Sequence, residues 1–201
     1  SEVPMAWAHA LGGWTGLMAL TTVAFGLAVG IMVRALLPLL SPTRTLLLAV
    51  LAVLMTMPHL LARPHMLALP LLVAWTVGLV RAADSRKGPP LWLLPIMVAW
   101  ANLHGGFTLG LVLAFGFAAE ALLDGWQRGA LARTALNWGR FLALAILASL
   151  LTPHGADGIL FTWLILIEEQ YAISRIGEWA SPNFHHFQPL MLWLLLGLAV
   201  V

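Results

Sequence analysis

Residues 14–33 contain no charged side chain, and neither do residues 45–57. Windows of this kind decide the solvent before they decide the fold. An apolar segment of about 20 residues is what an α-helix needs to cross the roughly 30 Å hydrocarbon core of a bilayer at about 1.5 Å per residue. In lipid each backbone group must be satisfied within the protein, which leaves helices as the natural choice for single apolar spans. Charge is scarce throughout: 61% of the 201 residues are hydrophobic, 9% are charged and the mean hydropathy is +0.94. That is too little to cover a water-exposed surface. The reading is an all-α, polytopic transmembrane helical bundle of about seven membrane segments plus outer interfacial helices, with residues 1–201 as a single transmembrane domain. The chain opens on SEVPMAWAH without a basic leader and stops inside the apolar run PLMLWLLLGLAVV, so it reads as a fragment of a longer chain.

Apolar stretches fall at about 14–38, 45–62, 66–80, 91–103, 107–123, 139–152 and 189–201. Arg44, then Arg81, Arg86 and Lys87, then Arg128, Arg133 and Arg140 occupy every second junction. By the positive-inside rule those junctions are cytoplasmic, and the amino terminus is outside. Arg34 snorkels to the same side, which leaves Arg63 and Arg175 opposite. His9, His59, His65, His104, His154, His185 and His186 then all fall at or near outer junctions. The ten Lys and Arg are scattered rather than clustered, which argues against a nucleic-acid partner. There is no cysteine, hence no thiolate site.

One outer junction is unusually short. The stretch 91–103 reaches only about 20 Å as a helix, so the adjoining turn in WANLHGGF, residues 100–107, lies at or below the outer interface. Gly105-Gly106 permits an immediate reversal, and polar backbone at such depth needs protein or water around it. A recessed outer pocket holding Asn102 and His104 is the expectation, with both glycines required by the tight reversal. Three Pro-His pairs, at His59, His65 and His154, also end or begin outer elements, because proline stops a helix and fixes the direction of the next side chain. The pocket is expected to bring His65, His104 and His154 together. Residues 159–167 are apolar but too short to cross, and they run into a polar, aromatic stretch ending in Ser-Pro. They read as an interfacial segment lying over the pocket, with Glu178 held at headgroup depth by Trp179 and Pro182. LPLLVAW at 69–75 and LPIMVAW at 94–100 echo each other in spans of opposite direction, which reads as coincidence.

The order LGGWTGL, LLARPHMLALPLL, WANLHGGF, LTPHG and IGEWASPNFH resembles a bacterial group of polytopic membrane proteins related to the GT-C glycosyltransferases, and it covers nearly the whole chain. The resemblance implies a GT-C-like bundle in the bacterial inner membrane, its histidine-rich face periplasmic. The partners implied are a lipid-linked sugar donor on a polyprenyl phosphate and the membrane lipids around it. Catalytic carboxylates of that class lie on an outer loop, of which Glu2 is the edge here. The residues suit the chemistry. Glycosyl transfer needs a carboxylate for the acceptor proton and donors or cations for the leaving phosphate. Glu2, Glu178 and His104 are the catalytic candidates. Arg63 and His65 are candidates for the lipid phosphate, Asn102 for a sugar hydroxyl, and His154 for a further donor.

Other classes fit less well. A zinc shell of His65, His104, His154 and Glu178 would have to converge from separate turns, and no metal or organic cofactor is expected. A transporter needs polar residues near mid-membrane, where this chain is nearly empty of them. The alternative retained is a non-enzymatic membrane subunit, or transporter-like protein, that binds a lipid or small solute in the outer pocket.

Overall fold

In the computed structural model, residues 2–57 and 60–168 are described. They form seven helices: α1 (Glu2–Leu36), α2 (Pro42–Thr56), α3 (Pro64–Asp84), α4 (Leu93–Leu103), α5 (Phe107–Gln127), α6 (Leu131–Ser149) and α7 (Asp157–Glu168). Three of them, α1, α3 and α5, are long and apolar enough to cross a membrane. α2 and α4 are apolar but shorter, so the apolar stretches of the sequence become helices of unequal reach. α6 begins at Leu131, well before the apolar stretch at 139, because its first turns are polar and amphipathic. The run 189–201 and Glu178 lie outside the described residues.

α1 is two helices in one. Gly13 takes φ 56 and ψ −142, a conformation that a side chain would strain, and it separates residues 2–12 from the membrane segment beyond it. The backbone doubles so closely there that a Cβ on Gly16 would overlap the Ala8 carbonyl. Below the break, Leu17, Thr21, Ala24 and Ala28 recur at helical spacing and are buried, forming the seam along which α1 packs on α3. Thr21 donates its hydroxyl to the Leu17 carbonyl at 3.0 Å, so no polar group is left unpaired in the apolar seam. α2 packs on the far side of α1, and α3 to α6 form the core of the bundle.

That core has an aromatic centre. Trp75, Leu79, Leu93, Met97 and Phe141 are essentially inaccessible, and the Trp75 and Phe141 rings lie 5.5 Å apart. Trp75 Nε1 donates to the Gly110 carbonyl at 2.8 Å, a bond that an indole needs once it is cut off from water. A Cβ on Gly110 would come within 2.6 Å of the Trp100 ring. The two tryptophans that close the echoed heptapeptides thus grip the same glycine of α5, one by hydrogen bond and one by ring contact. The echo has a packing role, since α3 and α4 present matching faces to one neighbour.

The helices alternate in direction, so polar chemistry collects at the two ends. The start of α1, the start of α3, the α4–α5 turn, the end of α6 and α7 share one end. The arginine-bearing connections share the other.

Candidate functional site

The end away from the arginines is built from helix termini. Arg63 is the extended residue before α3, with φ −123 and ψ 159, and Pro64 occupies the first helical turn. This sets His65 on the opening turn, as the Pro-His spacing implied, and its ring meets the His104 ring edge-on at 6.4 Å between centroids. His104 ends α4 in extended backbone, with φ −160 and ψ 140. Its Nδ1 accepts the Gly106 amide at 2.9 Å, so the side chain closes the turn that its own backbone opens. Gly106 is needed for this reason: its φ is −60, well within reach of any residue, but a Cβ would crowd His104 Nδ1 at 2.9 Å. Gly105 has looser surroundings, the nearest atom to a Cβ there being Thr162 Oγ1 at 3.6 Å. The expectation that both glycines are required is corrected to Gly106 alone, on steric grounds rather than backbone strain.

The hydrogen bond to Nδ1 fixes the chemistry of His104. A neutral imidazole that accepts at Nδ1 carries its proton on Nε2, so the outward nitrogen is a donor. His104 lies in the turn outside the spanning helices, and its pKa is lowered from 6.5, first by partial burial and second by the charge of His65. At neutral pH it is therefore an uncharged N–H donor, suited to a phosphate or sugar oxygen and poorly suited to ligating a metal. Beneath the same turn Trp100 Nε1 is buried and, among the described residues, has no hydrogen-bond partner. It sits 3.9 Å from where a Cβ on Gly106 would be, so an unmet donor faces the turn from below. The sequence placed Trp100 at the end of the LPIMVAW echo and the start of WANLHGGF, but nothing in it marked the indole as an unmet donor.

Asn102 holds the end of α4 to the end of α6. Its Nδ2 donates to the Val98 carbonyl at 2.8 Å and to the Leu151 carbonyl at 2.9 Å. Both amide protons are thereby committed to backbone. It also lines a groove of about 740 Å³ together with Glu2, Val3 and Pro4 of α1 and Thr152, Pro153 and His154 beyond α6. Three residues singled out from the sequence, Glu2, Asn102 and His154, therefore share one groove. His65 and His104 are paired with each other and are not on its wall. Arg63, at the mouth of α3, has interactions of its own. Among the described residues no three His, Cys, Asp or Glu side chains gather into a metal shell.

A second, almost wholly apolar groove adjoins the first. Ala99 lines both, and the second, of about 820 Å³, lies between α4 and α6, walled by Leu94, Pro95, Val98, Leu144, Leu147 and Leu151. α7 lies over the neighbouring turn, with Gly158 against Phe107 and Thr162 beside Gly105. Comparison with family models, curated proteins and solved structures finds no match.

Proposed function

We propose that the chain is a membrane glycosyltransferase-like protein that takes a sugar from a polyprenyl-phosphate donor at its histidine-bearing end, facing the periplasm from a bacterial inner membrane. One observation carries the reading: a groove that sets Glu2, Asn102 and His154 among apolar walls adjoins, at Ala99, an apolar groove along α4 and α6. A substrate with a polar head and a long hydrocarbon tail has that shape. In this reading α2, α4 and α6 also cross the bilayer with the three longer helices, completing a GT-C-like bundle. Glu2 takes the acceptor hydroxyl proton as the acceptor oxygen bonds the anomeric carbon. The bond from that carbon to the phosphate oxygen breaks, and the polyprenyl phosphate leaves with the electron pair. His154 on the groove wall donates to the leaving phosphate, and Arg63, His65 and the Nε2–H of His104, beside the groove and not on its wall, complete its stabilisation, a role for which fixed donors outside bulk water are most effective.

The test uses the purified chain in lipid nanodiscs with radiolabelled polyprenyl-phosphate hexoses. The expected result is release or transfer of label, lost in Glu2→Gln by a factor of about 10² or more, with donor binding weakened in Arg63→Ala. Equal turnover in both variants and the parent would sink the assignment. Tight donor binding that Glu2→Gln leaves intact, with no turnover in the parent, would point instead to a non-enzymatic lipid-binding subunit.

A further inference from the structure

The arginine-bearing end holds a second cleft that the outer chemistry does not use. It has a volume of about 250 Å³ and lies between Gly88, Pro89 and Leu91 on the connection into α4 and Asn137, Arg140 and Leu144 on α6. Gly88 lets the connection lie directly on α6, since a Cβ there would come within 2.9 Å of the Asn137 Cβ. Leu144 belongs both to this cleft and to the apolar groove between α4 and α6, so the two spaces adjoin.

The cations at this end are of two kinds. Arg86 and Arg128 both approach Asp124, so much of their charge is met within the protein. Arg133 and Arg140 meet no carboxylate within salt-bridge distance among the described residues. Arg133, Asn137, Arg140 and Leu144 succeed one another at helical spacing on α6, which makes a stripe that is cationic at its start and apolar further along. Trp92 and Trp126 are exposed at the same end, where aromatic side chains mark headgroup depth.

We propose that this cleft binds the headgroup of an anionic phospholipid, its phosphate on the Arg140 guanidinium and the Asn137 amide, with one acyl chain lying in the groove between α4 and α6. An arginine offers phosphate a forked pair of donors, and basic pockets between membrane helices on this side are suited to anionic headgroups. The headgroup cleft uses residues other than those of the outer site, while its acyl chain enters from the opposite end the same α4–α6 groove that the proposed function gives to the donor tail.

Native mass spectrometry of the chain, released from detergent after addition of dioleoyl phosphatidylglycerol, dioleoyl phosphatidylcholine or glycerol phosphate, tests it. The expected result is retention of phosphatidylglycerol at several-fold lower concentration than phosphatidylcholine, with no retention of glycerol phosphate. Arg140→Gln should erase the preference, a loss of about fivefold or more, and Arg140→Lys should keep part of it. Leu147→Trp, which fills the groove but leaves the cleft, should weaken phosphatidylglycerol too. Equal retention of the two lipids, an unchanged preference in a folded Arg140→Gln, or indifference to Leu147→Trp would each overturn the proposal. Retention of glycerol phosphate as strong as that of the lipid would also overturn it, in favour of a site for soluble phosphate.

Discussion

The two ends of the bundle handle polar groups by different means. At the histidine end Asn102 and His104 bond to backbone: Asn102 ties the ends of α4 and α6, and His104 is locked by the Gly106 amide. At the arginine end the hydroxyls of Ser85 and Thr134 also bond to backbone, but the charged groups bond to one another, as in the Arg128 pair with Asp124, one helical turn apart. A side chain bonded to fixed backbone loses its freedom on folding and presents its remaining atoms in a set direction. A surface ion pair between flexible side chains is loose and screened by salt. Preorganisation belongs to the first end, while the second carries exposed, mutually paired charge.

The sharpest test of this contrast is within the α4–α5 turn. Gly106→Val should lower folded yield and thermal stability in detergent, by about 1–3 kcal/mol from overpacking against His104. Gly105→Ala should stay within about 0.5 kcal/mol of the parent, and equal damage from both would mean that the turn is constrained by backbone rather than by His104. Asn102→Leu should cost about 0.5–1.5 kcal/mol, since it removes the exposed bonds to the Val98 and Leu151 carbonyls. A stability unchanged in unfolding experiments would mean that the α4–α6 tie is not a structural one.

The third test is pH. Because the folded pKa of His104 lies below its usual 6.5, the unfolded chain binds more protons in the interval between the two values. Stability is therefore full above pH 6.5 and declines as the pH falls toward the folded pKa. The melting temperature of the parent should show this decline, and His104→Gln should flatten it. The smallest effect belongs to the arginine end: Asp124→Asn should change stability little, and any difference should vanish in high salt. A large, salt-resistant loss there would erase the distinction between the ends.

Much of the bundle was legible from hydropathy alone. The stretches at 66–80 and 107–123 became α3 and α5, and the short stretch at 91–103 became the short α4. The first turns of α6 were hidden because helicity there tracks amphipathic spacing rather than apolar content. The break in α1 at Gly13 falls where the sequence places two adjacent glycines, a cheap place to leave the helical conformation. At the site, proline and glycine punctuation located His65 and His104 side by side, and Glu2 came to share a groove with His154. What the sequence could not supply was direction. It held no sign that His104 accepts at Nδ1, that Asn102 spends both its protons on backbone, or that a lone buried tryptophan leaves its donor unmet. Those facts depend on which helix end meets which, and no local spacing encodes that.

The brevity of α4 reaches beyond the protein to the lipid around it. Its 11 residues rise about 16 Å, roughly half of the hydrocarbon thickness. Where α4 and the groove beside it face the bilayer, this hydrophobic mismatch draws the leaflet inward or admits water, since lipids deform at modest cost to match a short wall. If α4 lies in the bilayer as proposed, a lipid beside the groove sits with its headgroup lowered before any contact forms. In the proposed reading, a head carried on a long tail then has less hydrocarbon to leave on entering the groove of Glu2, Asn102 and His154.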